Sequence, residues 1–127
     1  MKIKKFEEIE SWKKARLLTS KIYQTTGQGN FARDFGLKDQ IRRASISILS
    51  NIAEGFERGG DKEFLQFLAM AKGSCGEVRA QLYVAFDQGY VSQVLDGLSQ
   101  GAIEISQLIS GLMKYQSNSE LRGSKYR

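Results

Sequence analysis

The chain reads as an all-α protein, an antiparallel up-down-up-down four-helix bundle, and three features of its 127 residues predict this. Proline is absent, so no position forces a break in a long helix. Apolar residues recur at steps of three and four through four long stretches, the spacing of one helical face. The breaks between those stretches are short and glycine-rich or polar, and short connections make neighbouring helices run in opposite directions. A chain of this length supports one domain and one core.

The first helix is expected over about 9–26, where Trp12, Ala15, Leu18 and Ile22 share a face and Gly27-Gln-Gly-Asn30 ends the run. The second spans about 37–58 and stops at Gly59-Gly60. Its Ile41, Ala44, Ile48 and Ile52 form one apolar face, and Ile46, Leu49, Ala53 and Phe56 form another beside it. Two such faces predict a helix buried on most sides. Asp61 is the expected N-cap of the third helix, about 61–88, which carries Phe64, Leu68, Ala71, Cys75, Val78, Leu82 and Ala85. The fourth, about 91–116, repeats the pattern with Val94, Leu98, Ala102, Ile105, Ile109 and Leu112. The bundle thus occupies 1–116. Residues 117–127 lose all apolar periodicity and read as a disordered basic tail.

Composition narrows the chemistry. Histidine is absent, which removes the commonest general base, zinc ligand and near-neutral pH switch. One cysteine allows no internal disulfide and no Cys-rich metal site. Cys75 falls on the core series of the third helix, inside Lys72-Gly-Ser-Cys-Gly-Glu77, which lacks the spacing of a phosphate-binding loop. The expectation is a non-enzymatic protein with no metal and no cofactor. No apolar run is long enough to span a bilayer, and the N-terminus has basic residues with no apolar stretch behind them. A cytoplasmic location follows as the expectation.

The net charge of +5 is unevenly spread. Residues 1–43 hold eleven Lys and Arg against five Asp and Glu, whereas residues 44–127 hold eight against nine. A positive field gathered in one third of the chain suits a polyanionic partner. Lys13, Lys14 and Lys21 on the first helix, with Lys38 and Arg42 on the second, are the residues to contact phosphates. Arg42, one turn beyond Lys38, is read as solvent-facing; whether it contacts phosphate stays open. Arg43, Ser47, Asn51 and Glu54 line up instead as a polar seam, with Glu77 of the third helix as a further partner. That seam is expected to be structural, Arg43 pairing with Glu54 or Glu77 to fix helix register. Five glycines inside helices, Gly73, Gly76, Gly97, Gly101 and Gly111, each cost about 1 kcal/mol against alanine. They point to close helix approach, within the chain or between copies. Trp12 is the one aromatic residue read as having a basic setting, and its phase turns it inward.

The stretch Gln40-Ile-Arg-Arg-Ala-Ser-Ile-Ser-Ile-Leu-Ser-Asn-Ile-Ala-Glu-Gly-Phe56, preceded by Phe35-Gly-Leu37 and followed by Glu63-Phe-Leu-Gln-Phe-Leu68 and Gly73-Ser74, resembles one family. These residues are similar to the four-helix-bundle proteins encoded in bacterial 23S ribosomal RNA intervening sequences, over about Phe6 to Tyr90. The chain departs from that family where members commonly carry Phe-Pro before the second helix and Phe31-Ala32 stands here. The resemblance, shared with accessory proteins of diversity-generating retroelements, implies a barrel-shaped homopentamer that engages structured RNA or DNA through a basic surface. A second expectation is a scaffold for a partner protein such as a reverse transcriptase, without direct contact to nucleic acid.

Overall fold

The computed structural model describes the backbone of residues 3–92 and 97–126, with side chains as far as Asn118. Four helices account for nearly all of it: α1 Glu10–Thr26, α2 Phe35–Glu57, α3 Asp61–Asp87 and α4 Gly97–Tyr126. No strand occurs among the described residues. Short 3-10 turns at Phe6–Glu8 and Phe31–Arg33 precede α1 and α2.

Local chemistry sets most of the boundaries. α2 begins two residues before its expected start because the Asp34 carboxylate accepts the Leu37 N–H at 3.1 Å, capping the first turn. α3 ends where Gly89 takes a left-handed φ of 78° and the Tyr90 N–H reaches back to the Ala85 carbonyl at 2.9 Å. That backward bond satisfies a carbonyl the helix end would otherwise leave open. Two expectations change. Asp61 is not the N-cap of α3; Gly60 holds that position and Asp61 is the first helical residue. The described part of α4 runs Gly97–Tyr126 and so takes in residues 117–126, expected as a disordered tail. Val94, placed on the core face by its spacing, lies outside the described residues.

The core is a single cluster fed by all four helices. Ile22 of α1, Ile41, Ile48 and Ile52 of α2, Leu68, Val78 and Leu82 of α3, and Ile105 and Ile109 of α4 are almost wholly buried. Each such side chain contributes about 1.5–3 kcal/mol through its removal from water. Each helix packs on its neighbours in the chain and α1 also packs on α4, which closes the bundle. The α2–α3 contact is the most extensive, and Gly55 explains why. A Cβ added there would lie 2.5 Å from the Phe67 Cβ, so only glycine lets the two helices come this close. The predicted close-approach glycines behave differently. Added Cβ atoms at Gly73, Gly76, Gly97 and Gly111 would meet nothing within 4 Å, and at Gly101 only the tip of Leu18 at 3.4 Å.

The second apolar face expected on α2 is not buried. Ile46 is 37% exposed, and Leu49, Ala53 and Phe56 are half-buried. A bundle of four helices covers one broad side of each, so a second stripe set well round the axis faces outward. No helix of the described residues is long and apolar enough to cross a membrane.

Candidate nucleic-acid interface

The five cations expected to contact phosphates divide into two groups. Lys13 and Lys21 are exposed on α1, Lys13 with Glu10 3.8 Å away. The other three are engaged. Lys14 spans to Glu104 of α4 at 2.7 Å. Glu104 holds the Lys14 ammonium above its ordinary range, first through the hydrogen bond and then through its charge. Lys38 donates from Nζ to the Ala32 carbonyl at 3.1 Å and sits 4.9 Å from the centre of the Phe35 ring. Arg42 is the most constrained. Its Nε donates to Thr26 Oγ1 at 2.8 Å, its Nη2 to the Tyr23 carbonyl at 3.3 Å, and the guanidinium lies 4.2 Å from the centre of the Tyr23 ring. It is half-buried at the C-terminus of α1, where the carbonyl ends of a helix favour a positive charge. The expectation of a solvent-facing Arg42 is thereby corrected.

Arg43 is corrected in the opposite sense. Its side chain is 78% exposed and pairs with Asp39 one turn back at 2.9 Å, not with Glu54 or Glu77. Glu54 pairs with Arg58 on the surface at 2.8 Å. Glu77 is exposed beside a recess of about 280 Å³ that it lines with Gln40, Arg43, Ala44, Ser47 and Gln81. The inner part of the expected seam does form. Asn51 Nδ2 donates to the Ser47 carbonyl at 2.8 Å and to Ser47 Oγ at 2.9 Å, and Ser74 Oγ of α3 donates to Ser47 Oγ at 2.9 Å. Helical phase explains the split. A step of four residues advances about 40° past a full turn and a step of three falls about 60° short. Ser47 and Asn51 therefore rotate toward α3 while Arg43 and Glu54 stay outside.

Residues that composition alone did not single out now stand near the basic face. Arg16 and Arg33 are exposed, and Phe35 is 72% exposed. Trp12 packs inward against Phe6, ring centres 5.1 Å apart. It is not alone among aromatic residues in a basic setting, since Tyr23, Phe35 and Phe67 each have a cation over the ring. The Phe35–Lys38 spacing of three was visible in the sequence. The Tyr23–Arg42 pair, nineteen residues apart, required the fold.

Two further features bear on chemistry. Cys75 is buried, and burial pushes its thiol up to about 12, so it stays protonated at neutral pH. Among the described residues, no group of three or more Cys, Asp or Glu could hold a metal ion. The family model described as 23S rRNA-intervening sequence protein matches residues 7–111. No curated protein matches the chain.

Proposed function

The chain belongs to the 23S rRNA-intervening sequence protein family, and from that premise we propose a non-enzymatic, cytoplasmic, ring-forming bundle that binds structured RNA or DNA through its basic face. One observation carries the nucleic-acid role. Lys4, Lys5, Arg16, Lys21 and Arg33 are exposed and have no ion-pair partner among the described residues. Neutralising phosphates releases counterions, and unpaired surface cations are free to do it.

The up-down-up-down topology is supported by how the helices pair. Along α2, Gln40, Ser47 and Gly55 meet Gln81, Ser74 and Phe67 of α3 in descending order. Lys14 and Leu18 of α1 meet Glu104 and Gly101 of α4 in the same reversed sense. The exposed Gly73 and Gly76 of α3 leave open space on the outer surface of the subunit, room for a helix of another copy to approach closely in the proposed ring. Native mass measurement then gives five copies of the 14.3 kDa chain; a monomer at every concentration sinks the ring.

Fluorescence anisotropy with a structured RNA and a DNA duplex, across a salt series, tests the binding. The variant to set beside the native chain is Arg16→Gln/Lys21→Gln/Arg33→Gln, since changing Lys14 would also break its bond to α4. Each phosphate that the variant leaves unneutralised lowers the log–log salt slope by about one. Unchanged affinity and slope overturn this surface. A partner-protein scaffold is the second reading, favoured by Met70, Tyr83, Val84 and Phe86 exposed along α3. It predicts little nucleic-acid affinity at physiological salt.

A further inference from the structure

We infer that the edge where the start of α2 passes the end of α1 is a stacking surface for unpaired bases. The inference rests on the nucleic-acid reading above and names which part of the nucleic acid this edge takes. Phe35 is the first residue of α2 and presents most of its ring to solvent. Burial in the core does not account for it. Lys38, one turn on, is held over that ring by its bond to the Ala32 carbonyl. One turn further, Arg42 lies over the ring of Tyr23, itself 40% exposed.

Steps of three and four put Phe35, Lys38 and Arg42 on one strip of α2, with Phe35 and Arg42 about 10 Å apart along the axis. The strip is cationic. Arg33 precedes it, and Arg16 lies two turns before Tyr23 on α1, both exposed. The nearby carboxylates are directed elsewhere. Asp34 accepts from the Leu37 N–H and from the Tyr90 hydroxyl at 3.0 Å, and Asp39 pairs with Arg43.

Rings alternating with cations do not suit an apolar protein surface, which would strip the remaining water from Lys38 and Arg42 and offer no anion in exchange, their bonds within the chain being to neutral carbonyl and hydroxyl oxygens. An unpaired nucleotide offers both halves of what this edge needs. Its base has a π-face for the ring or the guanidinium plane, and its phosphate meets the cations. A fully paired duplex keeps its bases stacked inside and can use only the cations.

The test compares a labelled RNA hairpin with an unpaired loop against a blunt duplex of the same stem, using the native chain, Phe35→Ala and Phe35→Leu. The hairpin binds the native chain more tightly than the duplex. Either substitution weakens hairpin binding roughly 5- to 150-fold and leaves duplex binding unchanged. Phe35→Leu keeps apolar bulk without the ring, so an unaffected Leu variant overturns stacking. Equal weakening on hairpin and duplex also overturns it, as does a lower subunit number for Phe35→Ala by native mass measurement, which makes the edge a subunit contact. Native binding with no preference for the loop overturns this inference and leaves the proposed function standing. Binding to neither probe overturns both.

Discussion

The two flanks of α2 both carry polar links to a neighbouring helix and work by different means. Toward α3, Gly55 lets the helices touch, and the polar groups between them are short: Ser47, Asn51 and Ser74, bonded to one another and to backbone. Toward α1, the polar link is one long side chain, Arg42, reaching across to Thr26 and Tyr23. Adjacent residues on a helix point about 100° apart, so Arg42 turns toward α1 while Arg43 faces outward, and the two have opposite fates. What a polar residue does in this bundle depends on which gap it faces and how wide that gap is.

Gly55→Ala gives the largest expected effect, because it attacks the close flank directly. Alanine favours a helix over glycine by about 1 kcal/mol, but here its Cβ would collide with the Phe67 Cβ, an atom fixed to the α3 backbone. The helices must part, at a net cost of about 3 kcal/mol, the upper end for overpacked cores. Denaturant unfolding measures it. A neutral or stabilising result would falsify the account of this flank. Gly73→Ala is the matched control, with open space at the site and a gain of about 1 kcal/mol in the isolated subunit.

Arg42→Met comes next and probes the other flank. It keeps an apolar stem but removes the charged donor, and hydrogen bonds to charged groups are worth about 1.5–3 kcal/mol. Thr26 is buried, but its hydroxyl still donates to the Ile22 carbonyl at 2.7 Å, so a loss near 2 kcal/mol is expected rather than the maximum. Amide exchange should quicken first around Tyr23 to Gly27. If those amides are unaffected while stability falls, Arg42 acts somewhere other than the end of α1.

Much of this is legible in the chain before its fold. Four helices and their core faces follow from spacing, and all seven apolar positions named on α3, from Phe64 to Ala85, are buried. The candidate surface is harder to read. Periodicity tells which residues share a face, but not which neighbour that face meets. Arg42 ties α2 to α1 only because the end of α1 lies beside it. Gly55 stands in a recognisable motif, yet its role depends on Phe67 of the next helix. The continuation of α4 past 116 escapes a sequence reading because its residues carry no apolar stripe, the signal on which helix prediction leans most.

Ser74→Ala is a smaller perturbation of the α3 flank. It removes the donor to Ser47 Oγ, while Asn51 still bonds Ser47, so no member of the seam is stranded. The expected loss is about 1 kcal/mol, the usual worth of one neutral hydrogen bond. A loss of several kcal/mol would mean the seam acts cooperatively, which the double variant Ser47→Ala/Ser74→Ala would expose as non-additivity.

Arg43→Ala should do least, within about 0.5 kcal/mol, because an exposed pair one turn apart on a helix contributes little. Set beside Arg42→Met, it turns one sequence dipeptide into a test of the whole comparison: the same residue type, adjacent positions, and a severalfold difference in cost. The outcome is informative in the other direction too. Arg43 lines the recess that holds Glu77, Gln40 and Gln81. If Arg43→Ala destabilises strongly, and more so as protein concentration rises, that recess is filled by a neighbouring subunit in solution. The outer face of α2 would then be a third flank, with Arg43 as its Arg42.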